Sequence, residues 1–441
     1  MTSRLRTRVA LAVCLAALIA CAPSIEDGGR TAETEEPADM DRIAEQYVKL
    51  VLALGEHDAD YVDAYYGPPE WREAVKAEHL ELTAIGARAG SLIGEIEALP
   101  TGGDAMDRLR REYLEKQLSA LAARVEILGG RKMTFDEESK ALFDAAAPVN
   151  TDDHFQAALD EMEGLLPGKG PLVDRYESFK KDFIIPKEKL DAVFLKAIEA
   201  CRERTVRRLE LPPGESFTIE YVTDKPWSGY NWYQGGYKSL IQVNTDLPIY
   251  IDRAIDLACH EGYPGHHVYN VLLEWRLTKE RGWKEFTVYP LFSPQSLIAE
   301  GSANYGIEMS FPGDERAAYD KEILFPLASL DPSRAETYYK VLEIAEKLGY
   351  AGNESARRYL DGRIDAAGAV EHMTRYGLYP RKRAEQRVRF IDKYRSYVIN
   401  YNLGKDLVRE YVERKAGEDP DSRWRIFGEL LSSPRLPSGL R

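Results

Sequence analysis

Three of the seven histidines fall within eight residues, His260-Glu261-Gly262-Tyr263-Pro264-Gly265-His266-His267, and a glutamate directly follows the first. Neutral imidazoles hold a catalytic zinc ion, and a nearby carboxylate that is not itself a ligand takes a proton from the attacking water. The residue types therefore point to a Zn2+-dependent hydrolase in which His260 is a ligand and Glu261 the general base. The spacing departs from the familiar His-Glu-x-x-His motif, because Pro264 stands where the second histidine belongs.

In an uninterrupted helix His266 would sit about 240° around and about 9 Å along from His260, and His267 about 10.5 Å along. Two donors on one zinc, each about 2.1 Å from it, lie no more than about 4 Å apart. The helix must therefore break or bulge between them if they share an ion. Pro264 removes a backbone donor and Gly265 admits conformations closed to other residues, so the insertion carries the residues that could absorb it. His266 is then the second ligand, with His267 as the alternative; a plain interhelical turn would leave both histidines at helix ends. Glu300, 34 residues beyond His266, offers the third ligand and leaves a fourth position open. Its neighbours Gly301, Ser302 and Ala303 would let its helix approach another closely.

The pattern His-Glu-x-x-Pro-Gly-His-His followed by Glu-Gly-x-Ala-x-Tyr resembles the bacterial domain-of-unknown-function 885 family, many of whose members are described as lipoproteins. Residues 260–267 match fully, and Glu300, Gly301, Ala303 and Tyr305 match, with Ser302 where the family usually has tryptophan. Val243-Asn244-Thr245 and Leu247-Pro248 also resemble its run before the motif. The resemblance implies a mostly helical, gluzincin-like metallopeptidase fold. Of the family's C-terminal pattern only Tyr401-Asn402-Leu403-Gly404 fits. The Tyr401 hydroxyl could donate to the oxyanion of a tetrahedral intermediate, or its ring could simply pack in the core.

A 3.6-residue periodicity dominates residues 42–441, which read as one mainly α metallohydrolase domain. Amphipathic stretches run over Ile43–Leu54, Met106–Leu128, Lys187–Leu209, Glu336–Leu348, Arg383–Ile399 and Lys405–Lys415. Strand character is confined to Phe217–Val222 and Lys238–Asn244, predicting a small sheet just ahead of the histidines. Between them Trp227, Tyr230, Trp232, Tyr233 and Tyr237 could line a cleft or serve as core. The basic run Arg381, Lys382, Arg383, Arg387 and Arg389 reads as a solvated helix face, with capture of a substrate carboxylate as the other use. Cys259 beside His260 reads as a small buried residue rather than a ligand, and Cys201 and Cys259 could pair in an oxidising compartment.

Residues 1–20 carry Arg4, Arg6 and Arg8 before a short apolar run, which reads as a secretion signal. The ending Leu18-Ile19-Ala20-Cys21 resembles a lipobox, making Cys21 the acylated N-terminus, and Ala22 after it is compatible with outer-membrane sorting on the periplasmic side. Residues 21–41 have almost no large apolar side chain and read as a flexible tether. The chain carries a net charge of −14, three units more negative without the leader, which argues against nucleic acid as a partner. The expected partners are a peptide or small amide and the membrane reached through the lipid; the sequence carries no signal of oligomeric state. The rival from another class is a non-catalytic envelope lipoprotein that binds peptide or metal in the same cleft, and hydrolysis of a non-peptide amide or ester would use the same site.

Overall fold

The computed structural model describes residues 36–441 apart from Pro226. The leader, Cys21 and the tether as far as residue 35 lie outside the described residues. Helices dominate, as expected of a mainly α chain, and two small sheets accompany them. Five of the six amphipathic stretches lie within or nearly coincide with single helices; the sixth, Arg383–Ile399, is divided, because the helix Arg381–Tyr394 stops at Arg395, whose φ of 51° lies in the left-handed region. Among the described residues no helix is long and apolar enough to cross a membrane.

The tether boundary needs correction. The first helix runs Glu36–Gly55, so residues 36–41 are helical. Met40 is buried in the core and Asp41 pairs with Arg110 at 2.7 Å, contacts that a free linker would not make.

Two strands, β1 (Val62–Tyr65) and β5 (Val288–Pro290), pair antiparallel. The larger sheet holds β2 (Ser216–Val222), β3 (Gly229–Gly235) and β4 (Lys238–Asn244) in the order β2-β4-β3. β2 and β4 are the two strands predicted, and they run parallel in register, Phe217 opposite Ser239. β3 is an addition: its sequence lacks β-branched residues, but it alternates sides, burying Asn231 and Tyr233 between the more exposed Tyr230, Trp232 and Gln234. It pairs antiparallel with β4 and forms the sheet edge.

The helix Pro294–Ser310, which carries Glu300, packs along the helix Ile399–Ala416, which carries Tyr401. The contact is glycine on glycine. A Cβ on Gly301 would lie 2.3 Å from the carbonyl carbon of Gly404, and one on Gly404 would lie 2.7 Å from the Leu297 oxygen. Two backbones this close leave no room for side chains, and the first turn of the second helix is thereby held beside Glu300.

Candidate metal centre

The helix Asp252–Leu257 does not continue regularly through the histidines. It widens into a π-turn over Ala258–Gly262, where the Tyr263 amide donates to the Ala258 oxygen at 3.1 Å. Tyr263 and Pro264 are joined by a cis peptide, and a new helix begins at His266. Gly265 lies against the preceding turn, its amide donating to the Cys259 oxygen at 2.9 Å. The interruption falls on the inserted Pro264-Gly265, and it turns His266 back toward His260.

The Nε2 atoms of His260 and His266 are 3.1 Å apart, with their rings at 89°. Glu300 Oε2 lies 3.3 Å from the first and 3.8 Å from the second. Donors sharing one zinc stand at separations of this size. Two further observations fit a cation. Glu300 Oε2 is buried and accepts no hydrogen bond, a costly state for a carboxylate oxygen without a positive partner. The Asn304 amide donates to the Tyr401 carbonyl at 3.2 Å, which turns its oxygen toward His260 Nδ1 at 3.0 Å. Nδ1 then carries the proton, and Nε2 presents its lone pair to the other two donors.

The electrostatics of His266 and Glu300 match this donor set. Burial, and then repulsion from His260, push the pKa of His266 down to about 4, so its ring is neutral near pH 7. Burial works to raise Glu300, but the neighbouring rings of His260 and His266 and the hydroxyl of Tyr397 outweigh it and hold the carboxyl below its ordinary value. Tyr397 donates to Glu300 Oε1 at 2.8 Å.

Glu261 stands beside the three donors. Burial pushes its pKa up to about 7; His260 opposes this and the Glu300 charge adds to it. Its carboxylate lies against the bare backbone of Gly229 on β3, where an added Cβ would be 3.0 Å from Oε1, and its own carbonyl accepts from Asn231 Nδ2 at 2.7 Å. The edge strand and the general-base candidate are thus in direct contact. All four residues line one cleft of about 2980 Å³, several times the roughly 300–1,000 Å³ of a small-molecule pocket.

His267 points elsewhere. It is 0% exposed, with Nδ1 2.9 Å from Ser239 Oγ and Nε2 3.0 Å from Glu215 Oε2. Burial works to raise Glu215, but the donors His267, Tyr263 and Arg202 hold it below the usual carboxylate range. Both ring nitrogens of His267 are engaged with the sheet side, so of the two candidates it is His266 that joins His260. Replacing His267 with alanine is expected to lower stability by about 1–3 kcal/mol, the cost of leaving buried hydrogen-bond partners unmatched, while metal binding persists. Chemical denaturation together with metal analysis checks both halves; metal loss in a still-folded variant would contradict the assignment.

Cys259 turns from the donors to face Cys201 in the core, their Sγ atoms 2.6 Å apart. Tyr401 lines the cleft with its ring 5.8 Å from that of Tyr397. Burial, then the charge of Glu300, hold its hydroxyl protonated far above neutrality. Of the predicted aromatics, Tyr230 and Trp232 line the cleft with ring centroids 4.5 Å apart, whereas Tyr233 is buried and donates to Glu274 at 2.6 Å. Trp227 also lines the cleft, its ring centroid 5.5 Å from that of Tyr230, and Tyr237 stands outside the cleft wall.

Asn304 and Tyr397 were absent from the sequence-based site. Asn304 was within reach, one helical turn after Glu300 and so on the same face. Tyr397 had no local signal, since it sits in a short 3-10 turn and meets Glu300 only through the fold.

No family model matches the chain, and no curated protein matches it. Two solved structures resemble it weakly. One bears the description "the putative lipoprotein from Colwellia psychrerythraea", with TM-score 0.49 and 14% identity over 81% of this chain and 68% of that one. The other, "a putative lipoprotein of unknown function from Shewanella oneidensis", gives TM-score 0.44 and 14% identity over 91% of this chain and 81% of that one.

Proposed function

We propose that this chain is a zinc-dependent peptidase of the domain-of-unknown-function 885 type, exported and held in the cell envelope by lipid on Cys21. The observation that carries the catalytic part is the convergence of His260, His266 and the unpaired Glu300 oxygen beside Glu261 in an open cleft. His260, His266 and Glu300 would hold the metal. A bound zinc ion supplies Lewis acidity, polarising a carbonyl and making water easier to ionise.

The chain's own residues perform the remaining work. Glu261 takes a proton from the attacking water at its carboxylate and returns it to the leaving nitrogen. The hydroxyl of Tyr401, kept protonated by its surroundings, donates to the oxygen that gains charge. The edge strand β3 offers backbone groups along which an extended peptide can lie. Tyr397 and Asn304 orient the ligands.

Digestion of a peptide library is expected to stop on addition of a zinc chelator and to recover when zinc is restored. Cleavage indifferent to the chelator would defeat the proposal. Metal bound without cleavage would favour a non-catalytic binding protein instead.

A further inference from the structure

One wall of the cleft carries cations without acid partners in a chain that is acidic overall. The helix Arg381–Tyr394 presents Lys382, Arg383, Arg387 and Arg389 to the cleft, and among the described residues none of the four forms an ion pair. Arg381, on the same turn as Arg383, is paired with Glu385 at 3.2 Å and stands outside the cleft. This helix has no acid in its first turn, although the positive end of a helix dipole favours acids there. Three cations at that end are electrostatically unfavourable unless an anion visits them.

Lys180 is the independent sign of a ligand. It is 6% exposed, lines the same cleft, and makes no hydrogen bond or ion pair among the described residues. Its ammonium sits 4.1 Å from the ring centre of Tyr250 and 5.1 Å from that of Tyr176. Arg383 and Arg253 repel it; Asp252 and Glu177 attract it from a distance, and the Asp252 carboxylate already accepts the Tyr338 hydroxyl. A buried ammonium left this way lacks the partner that such groups ordinarily have.

Arg387 connects this region to the metal centre. Its guanidinium lies 5.7 Å from the Tyr401 ring, which meets Tyr397, the donor to Glu300, edge-on. Arg383 is one helical turn before it. We propose that Arg387 and Arg383, backed by Lys180, form a subsite for a substrate carboxylate, foremost the free C-terminus of a peptide whose scissile bond reaches the metal centre. This rests on the peptidase reading and deepens it. A planar guanidinium suits a carboxylate because it can donate two parallel hydrogen bonds.

The test compares peptides of one sequence bearing a free or an amidated C-terminus, with and without an internal glutamate. Binding is read on the Glu261→Gln protein and hydrolysis on the wild type. The free acid should bind and react at least about tenfold better than the amide, the size of one charged hydrogen bond. In the Arg383→Gln/Arg387→Gln double variant that ratio should fall to within about twofold of one, while Arg381→Gln keeps it. Internal glutamate that rescues the amide would move the ligand from the C-terminus to an acidic side chain. Equal handling of acid and amide by wild type, or a preference that survives the double variant, overturns the subsite. Chelator-sensitive hydrolysis without the preference defeats the subsite alone, and the preference in binding without hydrolysis defeats the peptidase reading alone.

Discussion

Glu261→Gln should lower kcat/KM by about 10²–10⁴-fold, the usual contribution of a positioned general base, and still bind about one metal ion per chain. Glutamine keeps the size of the side chain, and the Asn231 bond to residue 261 uses the backbone carbonyl, so the turn should hold its shape. Only the ability to take a proton is removed. The contrast with a ligand variant makes the result diagnostic, since His260→Ala should lose metal and activity together. Full turnover in Glu261→Gln would show that the base lies elsewhere.

The second large effect is expected at Gly265, which touches neither metal nor substrate. A Cβ there would stand 1.9 Å from the His260 oxygen and 2.4 Å from the Cys259 oxygen. Both obstacles are backbone, so no rotamer change can relieve the clash. Gly265→Ala must therefore open the turn that brings His266 to His260. Overpacking in a tight interior costs roughly 1–3 kcal/mol, and here the displaced groups are a proposed metal ligand and its neighbour. The variant should melt lower and bind metal much more weakly. Calorimetry alongside zinc titration reads both, and an alanine variant with wild-type zinc affinity would refute the role given to this turn.

The sequence made some of this legible for clear reasons. His260, Glu261 and Glu300 are chemical types rarely gathered without use, and donor distance alone demanded a break between His260 and His266. The glycine beside Glu300 predicted a close helix approach, and Gly301 against Gly404 realises it. The remainder depended on contacts far apart in the chain. His267 is spoken for by Glu215, 52 residues earlier, and Tyr397 reaches Glu300 across 97 residues. β3 escaped notice because Tyr, Asn, Trp and Gln between glycines read as a loop until a partner strand pairs with them. The tether was drawn too long since composition alone hid the helix that starts at Glu36. The basic run, read as a solvated face, proved to border the cleft, a fact that depends on where its helix packs.

The proposed mechanism requires that His260, His266 and Glu300 hold the metal. Zinc content of purified wild type, His266→Ala and His267→Ala, measured by elemental mass spectrometry after equilibration with zinc and removal of excess, asks this directly. About one zinc per chain is expected in wild type and in folded His267→Ala, and almost none in His266→Ala. A full complement of zinc in His266→Ala would contradict it.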